Sequence, residues 1–155
     1  MELASLVENA VLADLMLDPA IGMWNPKGHD DPGGKGSQGD PGENDDSLLT
    51  IIVSTEDRGD FDGASGAGIK IVALEIELTQ NVGINPDTSV LSAIHERIED
   101  RLPATHFADY SRHLAFSTSK LKVYGIMAPE IERTEDIDLA RARIVTRQFL
   151  CAQVR

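Results

Sequence analysis

The residues of this chain that could do chemistry are few and scattered. His95, His106 and His113 invite a metal reading, but zinc sites are usually built from tight ligand pairs such as Cys-x2-Cys or His-x3-His. These three are too far apart in sequence to form such a pair, so surface or half-buried histidines are the simpler expectation. Cys151 is the single cysteine and no His or Asp pattern marks it as a nucleophile. It is expected to be a buried apolar filler in a reducing compartment, and an internal disulfide is excluded. Gly34-Lys35-Gly36-Ser37-Gln38-Gly39 matches the dinucleotide-binding glycine pattern, yet lacks the preceding strand and following helix that give the pattern its meaning. Gly33, Gly36, Gly39 and Gly42 recur at every third residue, but with little proline they cannot hold a collagen triple helix. The acids around them do not follow the spacing of a calcium loop. No catalytic residue, metal or cofactor is therefore expected.

Arg141, Arg143 and Arg147 are the strongest local basic feature. Read as an extended segment, Ile137 to Val154 puts them on one face with Val145 and Phe149. Ala140, Ala142, Ile144, Leu150, Ala152 and Val154 take the other. The arginines have two readings: a solvated outer sheet face, or an interface stripe that meets acid from a neighbouring copy or partner. Arginine suits the second role because its planar fork pairs carboxylates with two hydrogen bonds.

The elements that must position these residues centre on Ile69 to Leu102. Val72, Leu74, Ile76 and Leu78 alternate with Glu75 and Glu77, the pattern of a half-buried strand. Val90, Leu91, Ile94, Ile98 and Leu102 then recur at helical spacing. Asn85 or Asp87 is the expected cap of that helix, Pro86 fits its first turn and Leu102-Pro103 ends it. Upstream, Glu2 to Leu17 reads as a helix whose apolar stripe is Leu3, Leu6, Val7, Ala10, Val11 and Leu17, with Asp14 at its edge. Asp18-Pro19 should stop it, and Trp24 should pack against it. Asn25 to Ser47 reads as a long Gly- and Asp-rich loop that cannot offset its own ordering entropy. Leu48 to Ser54 is a strand, and Glu56 to Gly68 a second acidic loop closing a hairpin with Ile69–Leu78. Ala104 to His113 is a link. Lys120 to Tyr124 alternates as a strand, and Glu132 to Asp136 is a charged turn before the long last strand.

The 155 residues therefore describe one α+β domain: a mostly antiparallel sheet of about four strands packed with two helices, carrying long acidic loops. Aromatic residues are only 5%, so the core must be aliphatic. No apolar run is long enough to span a bilayer. Glu2 and Glu8 stand where an export signal would carry basic residues. Net charge is −12. Residues 1–68 hold 3 basic and 14 acidic side chains, against 11 and 12 in residues 69–155. Such a balance does not hold nucleic acid by neutralising phosphates, although DNA could pass such a surface without sticking.

One family fits this order of elements. Leu121-Lys122-Val123-Tyr124-Gly125-Ile126, Glu130-Ile131-Glu132-Arg133, the long segment Arg143-Ile144-Val145-Thr146-Arg147-Gln148-Phe149 and the helix end Leu15-Met16-Leu17-Asp18-Pro19 resemble the tail-terminator (tail-completion) proteins of long-tailed bacteriophages. The resemblance covers most of the chain outside residues 25–47 and 56–68. It implies a structural virion protein, assembled in the host cytoplasm, that forms a ring of identical copies, usually six. The ring would cap the head-proximal end of the tail tube, contact the tail-tube and head-closure or neck proteins, and let DNA pass as cargo. Another ring protein of the same particle, such as a head-closure adaptor or a tail-tube relative, is the near alternative. A small enzyme or ligand-binding module is the alternative of another class.

Overall fold

The computed structural model describes residues 2–29, 49–61, 68–81, 88–103, 115–127, 134–137 and 140–154. Most of the expected Gly-rich loop, with its glycine patterns and acids, lies outside the described residues. So do Asn85, Pro86 and Asp87, the Ala104–His113 link with His106 and His113, and Glu130 to Arg133.

The fold is α+β. Helices α1 (Leu3–Met16), α2 (Pro19–Gly22) and α3 (Ser89–Arg101) accompany six strands: β1 (Lys27–Gly28), β2 (Leu49–Asp60), β3 (Lys70–Asn81), β4 (Leu121–Met127), β5 (Thr134–Ile137) and β6 (Ala140–Gln153). The sheet order is β1-β2-β3-β6-β4, with β5 also paired to β6. Every pairing is antiparallel except β1 on β2. The four expected strands are thus joined by two short ones, and the two expected helices by a single-turn third.

Pleat parity decides which side chains meet the helices. Leu49, Ile51 and Val53 of β2, Val72, Leu74, Ile76 and Leu78 of β3, and Val145, Phe149 and Cys151 of β6 form one aliphatic core with Leu3, Leu6, Val7, Val11 and Leu15 of α1 and Leu91, Ile94 and Ile98 of α3. Phe116 closes it edge-on to Phe149, with ring centroids 5.4 Å apart. Trp24 packs against this cluster, as expected.

Several boundaries differ from expectation, each for a local reason. The second acidic loop begins late: β2 continues to Asp60, opposite the first residues of β3. A bulge between Asp57 and Gly59 absorbs the irregularity there. Gly59 adopts φ +94°, open to glycine at little cost, and its N–H donates to Asp57 Oδ1 at 2.8 Å. The expected charged turn Glu132–Asp136 holds a strand instead, because Thr134–Ile137 pairs with the start of β6. Edge strands tolerate charge, since ladder bonds use only the backbone. The start of the expected Gly-rich loop is likewise ordered, with Lys27 and Gly28 parallel to Ile52 and Val53. Helix α3 begins later than expected, with Thr88 as its N-cap and no side-chain capping bond. Leu17 leaves the apolar stripe of α1 because the helix stops at Met16; Leu15 is buried instead, and Leu17 is 74% exposed.

Candidate functional site

Arg143 and Arg147 do not lie on an open outer face. Arg143 stands opposite Leu78 and Arg147 opposite Leu74, so both share the parity of the helix-covered side. Arg147 is 5% exposed. Its Nε donates to the Leu102 carbonyl at 2.6 Å and its Nη1 to the Thr146 carbonyl at 2.8 Å. Leu102 is the C-cap of α3, where the last carbonyls lack helical donors and the helix dipole is negative. The solvated reading of the stripe fails at Arg147 for that reason: a guanidinium anchors the helix end to the sheet. Arg143 is half-buried and donates to the Ala142 carbonyl at 3.3 Å. Arg141 lies opposite Gln80 on β3 and Asp136 on β5.

A second arginine arrangement was not recognised in the sequence. Asp14 and Asp18 are four residues apart around the α1–α2 elbow, and Arg97 and Arg101 are four apart on α3. They pair crosswise. Arg101 Nε and Nη2 reach Asp14 Oδ2 and Oδ1 at 3.0 and 3.1 Å. Arg97 Nε and Nη2 reach Asp18 Oδ2 and Oδ1 at 3.0 and 2.8 Å. Both forks are two-pronged, the strongest geometry for such a pair. Asp18 also accepts from the Ala20 N–H at 3.0 Å, capping α2 over Pro19. The hydrogen bonds from Arg97 hold the Asp18 carboxyl below its ordinary range, and the same bonds raise the Arg97 guanidinium. The signal was present in the two i,i+4 spacings, but charge spacing on separate helices does not say which helices meet.

The clamp fixes an elbow whose own exposed side chains are uncharged, while the exposed Arg97 that holds it is paired to Asp18. The exposed positions of α1 after its first turn begins are Ser5, Asn9, Ala13 and Met16, a helical stripe without an ionisable group. The elbow adds Leu17, Pro19 and Met23, all exposed. Met16, Leu17 and Met23 are 49%, 74% and 68% exposed. By contrast, the exposed residues of α3 include Glu96, Arg97 and Asp100. Glu8 is half-buried and lies against β1, close enough that a Cβ on Gly28 would lie 2.5 Å from its carboxylate oxygen.

On the opposite side of the sheet an open-sided hollow of about 640 Å³ is lined by His29, Ser54, Glu56, Arg58, Glu75 and Gln148, among others. Arg58 pairs Glu56 at 3.2 Å. His95 pairs Glu99 at 2.9 Å on α3. Among the described residues no group of three or more His, Cys, Asp or Glu could hold a metal ion. Cys151 is buried, and burial pushes its thiol up to about 12. Its thiolate is therefore scarce near neutrality.

The outer edge of β4, which pairs with no further strand among the described residues, is guarded. Leu121 N–H donates to Thr118 Oγ1 at 3.1 Å, Val123 N–H donates to Ser117 Oγ at 3.1 Å, and the Leu121 carbonyl accepts from the Thr118 N–H at 2.7 Å. Exposed Lys122 lies 5.1 Å above the Tyr124 ring. These are the devices by which an edge strand discourages further pairing. Among the described residues no helix is long and apolar enough to cross a membrane. The chain matches no family model, no curated protein and no solved structure.

Proposed function

We propose that this protein is a structural component of an assembly, a ring that caps the head-proximal end of a phage tail tube, ends tube growth and joins the tail to the neck. The observation that carries the assembly reading is the allocation of its charged and apolar groups. Arg97, Arg101 and Arg147 tie helices to one another or to the sheet, while Met16, Leu17 and Met23 are left in solvent. Exposed apolar residues gathered in one place mark a surface for another protein. The finer reading rests on the resemblance of the strand Leu121–Ile126, the segment Arg143–Phe149 and the helix end Leu15–Pro19 to tail-terminator proteins. Those three segments fall on β4, β6 and the α1–α2 elbow. In this reading the partners are further copies, the tail-tube protein and a head-closure or neck protein; DNA passes through the ring, and the protein transforms no substrate.

Light scattering with negative-stain imaging, on the pure protein and on its mixture with tail-tube protein, tests the proposal. Closed rings or capped tube ends are expected; a strict monomer that also ignores tube ends overturns it. The hollow behind β2, β3 and β6 favours a second reading, a ligand-binding module. Calorimetry against a library of small cations and amines checks it, and saturable binding abolished by Glu75→Gln is its expected signature.

A further inference from the structure

We infer that the hollow behind β2, β3 and β6 binds the ammonium group of a small primary amine, held by Glu75, Thr146 and Gln148. The inference is independent of the ring. It rests on the ligand-binding reading of the hollow and names the ligand's chemistry.

The hollow follows from strand register. On the outer face Ser54 of β2, Glu75 of β3 and Thr146 of β6 stand opposite one another in one row. Glu56, Ala73 and Gln148 form the next row, about 7 Å further along the strands. Ala73 offers only a methyl group between two long side chains, so the sheet is left open above it. All six residues line the hollow.

Three observations choose the ligand. First, the acceptors are of the right kind and placement. Glu75 brings a carboxylate, Gln148 an amide oxygen and Thr146 a hydroxyl, from two adjacent strands. Three acceptors set at the corners of a triangle suit an ammonium with its three N–H donors better than a flat guanidinium fork. Glu75 is half-buried, which strengthens its pull on a cation. Second, the neighbouring arginines are engaged elsewhere. Arg58 pairs Glu56 at 3.2 Å in solvent, and Arg147 donates to the Leu102 carbonyl on the helix-covered side. Third, Thr146 Oγ1 is shut off from solvent and has no hydrogen-bond partner among the described residues. A hydroxyl left in that state is costly, and valine would fill the same space without the cost. An ammonium donor in the hollow satisfies it. Glu75 and Gln148 are only half-buried, and side chains of that kind change rotamer fast enough to admit it. The short alkyl stem then lies over Ala73. One side of the hollow is open, so much of the ligand stays wet and affinity is modest.

The test is calorimetric titration of the full chain with n-butylamine at neutral pH, where the amine is protonated. Tetramethylammonium, a cation without N–H donors, is titrated beside it. The variants are Glu75→Gln, Thr146→Val and Glu77→Gln, each with its melting temperature. Saturable butylamine binding is expected, at least tenfold tighter than that of tetramethylammonium. Glu75→Gln should weaken it at least tenfold and Thr146→Val at least threefold. Glu77→Gln, exposed on the same face but outside the hollow, should leave it unchanged. Thr146→Val should keep or raise the melting temperature, which separates lost binding from lost folding. Equal binding of the two cations overturns the inference and leaves the ligand-binding reading standing. Butylamine binding at full strength in Thr146→Val reduces the site to charge and overturns the three-acceptor assignment. No saturable binding of either cation, or of any other small molecule tried, overturns both.

Discussion

Arg147 stands among Val145, Phe149 and Leu74, where its bonds to the Leu102 and Thr146 carbonyls help make a guanidinium tolerable. Arg147→Met keeps the apolar stem and removes the donors. It should cost about 1.5–3 kcal/mol, the range for a hydrogen bond from a charged group. The measurement is chemical denaturation, and an unchanged midpoint would show that the bond contributes nothing. Reversing Arg141, Arg143 and Arg147 together is expected to lower stability chiefly through Arg147, so any assembly role must be sought with Arg143→Glu alone, read by sedimentation. Cys151 offers a second residue-scale check. With its thiol pushed up to about 12 by burial, it should resist a disulfide reagent at pH 8 in the folded protein and react fully in denaturant. Rapid labelling of the native chain would contradict its burial on β6, opposite Val123 of β4.

The elements are joined by charge as well as by packing. Asp14 is 4% exposed in its pair with Arg101, whose side chain is 25% exposed. Asp14→Ala removes the two-pronged partner of that arginine and should cost about 2–3 kcal/mol, below the fully buried range because water reaches one partner. Adding Arg101→Ala should cost less than the sum of the single changes, and that shortfall measures the coupling. The Asp18–Arg97 pair gives the pH dependence its sign. Asp18 is held below its ordinary pKa in the folded chain, so its contribution is complete above the unfolded value of about 3.9. It is lost as pH falls through the lower, folded value. The stability difference between wild type and Asp18→Asn should therefore shrink on acidification below pH about 4, measured by urea titration at each pH. A difference that stays constant would remove the pair from the acid response.

At the scale of the molecule, two surfaces differ in kind. The face behind the sheet is hollow, with the charged groups of Glu56, Glu75 and Arg58 along it. The α1–α2 elbow exposes Met16, Leu17 and Met23, beside an Arg97 that is paired to Asp18. In the proposed ring, two unlike surfaces would suit a head-to-tail arrangement better than a two-fold one. Position 17 decides between them. In a head-to-tail ring, Leu17→Cys should give no symmetric disulfide dimer under mild oxidation, because each elbow faces a different surface. Quantitative position-17 disulfide dimers would indicate a two-fold contact instead.

The amino-acid order determined the elements that rest on periodicity. The alternation of Val72 to Leu78 makes β3, the spacing of Leu91, Ile94 and Ile98 makes α3, and Asp18-Pro19 ends α1, because these patterns are set by local geometry. The aliphatic core follows from the same periods and from the scarcity of aromatic residues. What only the tertiary structure decided is which charged residues face inward. Alternation along β6 divides its side chains into two sets, but not which set the helices cover. That depended on the pairing with β3, where Leu74 and Leu78 bring Arg147 and Arg143 to the covered side. The clamp from Asp14 and Asp18 to Arg101 and Arg97 spans 79 and 87 residues of chain, beyond the reach of any periodic pattern. Strand β5 and the end of β2 were hidden for a related reason: their polar residues pair through backbone groups that every residue carries, so the partner strand, not the side chains, makes them strands.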